Sequence, residues 1–411
     1  MSYRQIPINV LKEMKRVIKK YLVSWLTVTL LATAGFSKNV TATEAPEIIA
    51  GPYLQHVTQT SMTIMWETNQ PCTSVVEYGQ AEWLKKDDPT PLKNMVEENN
   101  NKTIHELDLK GLNVQTDYFY RVSSVNAESE KAASEIYSFQ TAVRNESSFA
   151  FVVIGDNRTY PERFAKVTAR AWAERPNFVV NVGDVVTNGN VKEQWINEYL
   201  GPAADLMRRV PTYVAIGNHE RNADWYYKYV SYPKPENYYS FDYGNAHFSI
   251  IDSNNNLSPN SEQFNWLSKD LSRSKARWKF VFHHHPPYSS DENDYGDTYK
   301  GKSKLGDMNV RQLVPLYEKN KVDIVWYGHI HDYERTWPLR DGKVDQKRGV
   351  TYIQTGGGGA ELENFAPTRS WFTAKVLSNW QYCLVTIHNG TLRMMAYDID
   401  GRMYDYLEMK K

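Results

Sequence analysis

The rhythm of apolar and polar positions changes twice along the chain. Near the start, Lys12, Lys15, Arg16, Lys19 and Lys20 precede an uncharged, mostly apolar run from Tyr21 to about Phe36. Between 47 and 143 the pattern alternates in short segments, as in Met62-Thr63-Ile64-Met65-Trp66 and Thr116-Asp117-Tyr118-Phe119-Tyr120-Arg121-Val122. Alternation is what half-buried strands require, because successive side chains point to opposite faces. After a polar linker at 143–148, the alternation gives way to continuous apolar runs at 149–154, 177–182, 212–216, 280–282 and 322–327. Such runs fit strands buried on both faces. Stretches 161–175 and 262–271 between them read as helices. The pattern therefore predicts an all-β sandwich at 47–143 and a layered α/β domain at 149–406.

Each apolar run of the second domain ends in a polar cluster. The ends are Gly155-Asp156, Gly183-Asp184, Gly217-Asn218-His219-Glu220, His283-His284-His285 and Gly328-His329-Ile330-His331. Ligands in open α/β sheets bind just outside the carboxyl ends of the strands. One Gly-Asp is ordinarily a turn, but five successive strand ends with oxygen or imidazole donors are a cluster. Carboxylate with imidazole suits zinc, manganese or iron. Asp156, Asp184, Asn218, His284, His329 and His331 supply six side chains. That is too many for one tetrahedral ion and suits two ions sharing a carboxylate. Two ions roughly 3.5–4 Å apart are used for in-line displacement at phosphorus.

The first domain offers no such cluster and reads as a structural module. Trp66 is its expected core anchor, Val75–Tyr78 a second strand ended by Gly79, and the acidic, Asn-rich stretch 86–103 a solvated hairpin loop. At the N-terminus, the basic segment, the apolar run and Ala32-Thr33-Ala34 follow the order of a secretory signal. The expectation is a signal peptide at 1–34, a mature start between about 35 and 46, and a secreted or periplasmic protein. An uncleaved N-terminal anchor is the alternative, although the run is short for a span of roughly 20 residues. No later window is apolar enough, so no stable membrane span is expected after cleavage.

Composition narrows the partners. The chain has 411 residues, 41% hydrophobic and 23% charged, which excludes wholesale disorder. Its 48 basic and 48 acidic residues cancel, but residues 1–34 hold six of the basic and one of the acidic. Cleavage leaves 42 against 47, a mildly acidic protein without the basic footprint of a nucleic-acid partner. Two cysteines, Cys72 and Cys383, cannot form a disulfide scaffold or a multi-cysteine zinc site, and sequence leaves their pairing open.

The ordered motifs G-D-x-R, G-D-V-V-T, G-N-H-E, V-x-x-H and G-H-x-H resemble the calcineurin-like metallophosphoesterases, and more narrowly the purple acid phosphatase-like branch. Tyr238–His247-Phe248 and Gly328-His329-Ile330-His331-Asp332-Tyr333-Glu334-Arg335-Thr336 support this, as does the β-sandwich ahead of the site. The stretch 112–122 resembles a fibronectin type III-like domain, with Tyr118 near a tyrosine corner. The resemblance implies a mixed β-sandwich flanked by helices, preceded by a small fibronectin-like sandwich. It implies that Asp184 bridges two ions, that Asp156 and His331 hold the first, and that Asn218, His284 and His329 hold the second. His219 would protonate the leaving oxygen or orient the phosphate, and a metal-bound hydroxide would attack. Among the neighbours of His284, His283 would point the other way, and His285 either packs or reaches the cleft.

Three departures stand out. The branch carries a colour-giving tyrosine three residues after the bridging Asp; here it is Thr187, which implies a colourless enzyme. Arg158 stands where the superfamily often has a metal-binding His. An arginine cannot ligate a cation, but it can clamp a phosphate oxygen or replace part of the first ion's charge. Ser289-Ser290-Asp291-Glu292-Asn293-Asp294 replaces a substrate-binding His pair and reads as an acidic rim. The resulting expectation is a metal-dependent phosphomonoesterase acting on a small phosphate ester, with two ions of iron, zinc or manganese and with His219 and Arg158 as catalytic groups. A phosphodiesterase of the same fold, or a non-catalytic phosphate- or surface-binding protein, are the alternatives. Gly356-Gly357-Gly358-Gly359 reads as a tight turn at the cleft edge, and His247 as a packed histidine.

Overall fold

The computed structural model describes residues 44–81, 92–291 and 303–411. The expected signal peptide, and Glu292, Asn293 and Asp294 of the expected rim, lie outside them. The first strands are β1 (Ile48–Val57), β2 (Ser61–Gln80), β3 (Asn94–Lys110), β4 (Asp117–Val125), β5 (Lys131–Ala133) and β6 (Tyr137–Gln140). β2 is one 20-residue strand, where the sequence predicts two. Its first half pairs with β1 and its second with β4, and register shifts between Glu67 and Ser74 take up the turn from one partner to the other. The expected loop at 86–103 is corrected as well, because from Asn94 onward it is β3. Among the described residues that strand pairs with β2 alone, and its exposed Glu and Asn residues suit an edge.

Trp66 is fully buried, donates from Nε1 to Ser124 Oγ at 2.9 Å and stacks on His105. The backbone N–H of Asn113 donates to the Tyr118 hydroxyl at 2.8 Å, the hydrogen bond of a tyrosine corner. The sandwich shares an apolar core with strands of both later sheets, while a second apolar cluster lies around Leu267, Val281 and Tyr352. Tyrosines tie the junction: Tyr120 donates to the Arg208 carbonyl at 2.7 Å, and Tyr229 to Glu67 Oε2 at 2.7 Å.

Beyond 149 two mixed sheets form. One runs in the order β21-β20-β19-β7-β8-β9, from β7 (Phe149–Ile154), β8 (Phe178–Asn181), β9 (Thr212–Val214), β19 (Gln381–His388), β20 (Thr391–Asp398) and β21 (Met403–Lys410). The other contains β10 (Tyr239–Tyr243), β11 (Ala246–Ile250), β12 (Trp278–Phe282), β13 (Ile324–Tyr327), β14 (Tyr333–Thr336), β17 (Thr351–Thr355) and β18 (Thr373–Leu377), in the order β10-β11-β12-β13-β17-β14-β18. A separate hairpin of β15 (Leu339–Arg340) and β16 (Lys343–Val344) lies between β14 and β17 in the chain. Within each sheet the site-bearing strands, β7-β8-β9 and β12-β13, are parallel. Their carboxyl ends therefore emerge together.

Aromatic rings hold the sheets face to face. Phe151 of the first meets Phe248 and Phe280 of the second at ring-centroid distances of 5.3 and 5.4 Å. Helices α1 (Pro161–Ala173) and α2 (Glu262–Arg273) flank the sheets. Proline at the start of α1 supplies a preset φ where no N–H partner is needed, and the Ser261 hydroxyl caps α2 by accepting from Phe264 N. Among the described residues, no helix is long and apolar enough to cross a membrane. Cys72 and Cys383 are buried and unpaired.

Candidate metal centre

The strand ends bring all eight sequence-predicted side chains to one place. Asp156 leaves β7 and Asp184 follows β8, both in the left-handed backbone region at φ 56° and 54°. This conformation turns the chain sharply at the end of each strand. Room for Asp156 comes from glycines: a Cβ on Gly328 would lie 2.1 Å from Asp156 Oδ2, and one on Gly356 would lie 2.0 Å from the Ile330 carbonyl. The four-glycine stretch is thus a close approach against the β7 end; Gly358 N and Ala360 N donate to the Gly155 and Asp156 carbonyls.

On the Asp184 side, His284 Nε2 lies 3.4 Å from Asp184 Oδ1, 3.0 Å from Asn218 Oδ1 and 3.3 Å from His329 Nδ1, and His329 Nδ1 lies 3.1 Å from Asn218 Oδ1. His284 Nδ1 donates to the Val182 carbonyl at 2.9 Å, so in the neutral ring that a metal ion would require, Nε2 presents its lone pair inward. Atoms with few protons to share are packed against one another. Bonds of about 2.0–2.2 Å to one ion place neighbouring ligands roughly 2.8–3.6 Å apart, the spacing seen here. These donors fit a bound cation. The ligand atoms of Asp156, Asp184 and His284 also lie within 4.8 Å of one another, all three residues buried.

The Asp156 side is different. His331 Nε2 stands 3.8 Å from Asp156 Oδ1, with Nδ1 donating to the Glu361 carbonyl at 2.7 Å. Arg158 reaches from His331 to Asp184: its Nη2 is 3.3 Å from His331 Nε2 and its Nε is 3.4 Å from Asp184 Oδ2.

The field is strongly negative. Burial opposes charge on His284, but Asp184 and Asp156 outweigh it and push its pKa up to about 9. Burial raises Asp156 well above the usual carboxylate range, and Asp184 adds to this. Asp184 resists its own burial and is held low by His284 and His219. Burial and Arg158 lower His331 to about 4.

His219 closes the group. Its Nδ1 is 2.7 Å from the Thr187 carbonyl, and Nε2 faces Asp184 Oδ2 at 3.9 Å. Thr187 itself donates its hydroxyl to Glu198 Oε2 at 2.9 Å. His283 turns away and stacks between Tyr317 and Tyr327. His285 packs against His329 at 4.5 Å and meets Ser253 Oγ at 2.9 Å. The expected acidic rim is corrected where it is described: Ser289, Ser290 and Asp291 are buried, because Ser290 donates from both N and Oγ to buried Glu334.

Supporting residues escaped sequence reasoning. Buried Glu220 accepts from the backbone N–H groups of Asp184, Val185 and Gly217 at 2.9, 2.8 and 2.6 Å, clamping two strand-end loops together. Burial and the neighbouring Asp184 push its pKa up to about 7. Its signal was its place in G-N-H-E. Ser253 Oγ accepts from His284 N and His285 N, and Glu363 Oε2 accepts from His331 N. These lie about thirty residues from their partners in sequence, so no local motif marks them.

Carboxylate, carboxamide and imidazole donors thus gather at the carboxyl ends of two facing sheets as a candidate metal centre. Residues 149–333 match the family Calcineurin-like phosphoesterase, and residues 51–141 match Purple acid Phosphatase, N-terminal domain. The second domain is thus similar to the calcineurin-like phosphoesterases, and the first to the N-terminal domain of the purple acid phosphatases. It is 29% identical over 298 residues to Purple acid phosphatase 15 of Arabidopsis thaliana, covering 62% of this chain and 53% of that protein. It is 28% identical over 276 residues to Probable inactive purple acid phosphatase 1 of the same plant, covering 58% and 44%. The chain thus spans about half the length of these curated relatives. A purple acid phosphatase from yellow lupin (Lupinus luteus) seeds shares the fold at a TM-score of 0.77 and 20% identity, over 89% of this chain and 74% of that one.

Proposed function

We propose that this protein is an exported, metal-dependent hydrolase of phosphate monoesters. The observation that carries the reading is the inward-facing, proton-poor set Asp184, Asn218, His284 and His329. Their mix of oxygen and imidazole suits iron, zinc or manganese. Such an ion, when bound, supplies Lewis acidity at the phosphoryl group and lowers the pKa of water. Asp184 and His284 hold the ion's side of the site, and the Val182 carbonyl fixes the tautomer of His284. His219, oriented by the Thr187 carbonyl, presents Nε2 to the same space. When protonated there it donates to the leaving oxygen, which matters most for a poor alkoxide leaving group.

The monoester reading rests on Arg158. Its side chain is partly exposed beside Asp184, and a guanidinium favours the dianionic phosphoryl group of a monoester over a singly charged diester. Export rests on the basic segment, apolar run and small-residue site at 1–34. The word "inactive" in the name of one relative supports a second, non-catalytic reading.

Turnover of para-nitrophenyl phosphate and of its bis ester, after loading with zinc, manganese or iron, tests all three. The expected result is faster turnover of the monoester. Preference for the diester supports the phosphodiesterase, and no turnover with any ion supports the binding protein.

A further inference from the structure

The two halves of the centre differ in what already lies between their ligands. Around the Asp184–Asn218–His284–His329 half, four ligand atoms crowd each other at 3.0–3.4 Å. In the Asp156–His331 half, the guanidinium of Arg158 lies among the ligands. Nη2 is 3.3 Å from His331 Nε2, and Nε is 3.4 Å from Asp184 Oδ2. His331 Nδ1 donates to the Glu361 carbonyl, so Nε2 carries the ring's lone pair. That lone pair is the one an ion would use, and an N–H of Arg158 points at it.

We infer that this centre holds a single metal ion, on the Asp184–Asn218–His284–His329 side, and that the Arg158 guanidinium takes the place of a second. The inference rests on the metal-centre reading above and replaces the two-ion expectation from sequence.

Three observations carry it. First, a guanidinium has donors and no acceptor, so Arg158 cannot share His331 and Asp184 with an ion at the same point; it competes with one. Second, the side chain is held at this point: it is only 20% exposed, and its backbone is anchored where N–H donates to the Asp184 carbonyl at 3.3 Å. Third, the remaining ligand shell is thin. Thr187, three residues after Asp184, has its hydroxyl committed to Glu198 Oε2, with Thr159 Oγ1 3.1 Å away. Among the described residues that leaves Asp156, His331 and a shared Asp184, and the guanidinium touches two of the three.

The substitution changes the chemistry of this half. A guanidinium brings one positive charge where an ion brings two, stays protonated at any working pH, and cannot be removed by a chelator. It also keeps N–H groups for a phosphoryl oxygen in a geometry a bare ion does not impose.

The test is ion stoichiometry, read without reference to turnover. The full chain is dialysed against Zn2+ or Mn2+ and the bound metal counted, with electron paramagnetic resonance of the Mn2+ form to separate a lone ion from a spin-coupled pair. We expect one tight ion per chain and an uncoupled Mn2+ signal for the wild type. Arg158→Ala should bind a second, weaker ion and show the coupled signal, while Arg158→Lys should stay at one. Two tight ions or a coupled signal in the wild type would overturn the inference, and so would one ion in both wild type and Arg158→Ala. If Arg158→Ala fails to fold, the wild-type resonance signal still decides. No bound ion in any form would overturn the metal-centre reading and this inference together. One bound ion with no turnover would overturn only the proposed activity.

Discussion

His247 and His284 each lie near two carboxylates, and the same electrostatics act on them through different geometry. His247, on β11, has Asp242 Oδ1 2.7 Å from Nδ1 and Asp270 Oδ2 2.9 Å from Nε2. Burial works against its charge, but the hydrogen bonds to Asp242 and Asp270 prevail and raise its pKa to about 9. His284 is raised equally, against complete burial, by Asp184 and Asp156. The difference lies in the geometry around each nitrogen. Each nitrogen of His247 has one carboxylate, so a second proton satisfies both. His284 spends Nδ1 on the Val182 carbonyl, and its Nε2 faces Asp184, Asn218 and His329 together. One proton cannot serve three neighbours, whereas one cation can. A raised histidine pKa therefore marks a negative field, and the number of acceptors around one nitrogen distinguishes a proton site from an ion site.

The largest expected effect breaks the ion half of this comparison. His284→Ala removes the imidazole at the meeting point of the ligands. It should abolish tight zinc binding and lower para-nitrophenyl phosphate turnover about 10³-fold, since an ion supplies several kcal/mol to such a transition state. Retention of zinc, measured by metal analysis after dialysis, would remove the distinction between the two histidines.

A middle-sized effect tests what positions the ion ligands. In Glu220→Gln one oxygen that accepts backbone N–H groups becomes a donor facing them. The expected cost is about 2–3 kcal/mol, seen as a fall of several degrees in Tm. An unchanged melting curve would mean that the strand-end loops hold without the clamp.

The smallest effect sharpens the proton half. The folded pKa of His247 lies above its ordinary 6.5. Its stabilising effect is therefore full below pH 6.5 and is lost as pH rises through about 9. The groups facing it are Asp242 from β10 and Asp270 from α2, with Lys269 and Arg273 lining the same hollow. Because Asp242 is largely exposed, the contribution is about 1–2 kcal/mol. The Tm gap between wild type and His247→Asn should be widest near pH 6 and shrink by pH 9.5. A gap independent of pH would show that His247 acts by packing alone.

Much of this molecule was legible before folding. The shift from alternating to continuous apolar runs separated sandwich from layered domain, because burial on one face or two writes itself directly into the periodicity. The helices at 161–175 and 262–271 match Pro161–Ala173 and Glu262–Arg273 within two residues. Errors fell where local signal and tertiary role diverge. β2 crosses two partners without a break, and β3 is polar because it is an edge. Ser289, Ser290 and Asp291 look like a surface rim but are buried, with Ser290 bonded to Glu334, 44 positions away.

By itself the sequence determined which side chains end each strand, and hence the donor types a metal ion would meet there, because strand-end motifs such as Gly-Asp and Gly-His-x-His are local. Only the tertiary structure decided how many acceptors meet at one nitrogen and where the Arg158 guanidinium lies. Those depend on two sheets packed through a phenylalanine core, and on contacts such as Arg158 with His331, 173 residues apart. Distances of that kind are set by packing across the fold, where a short stretch of sequence carries no record of them.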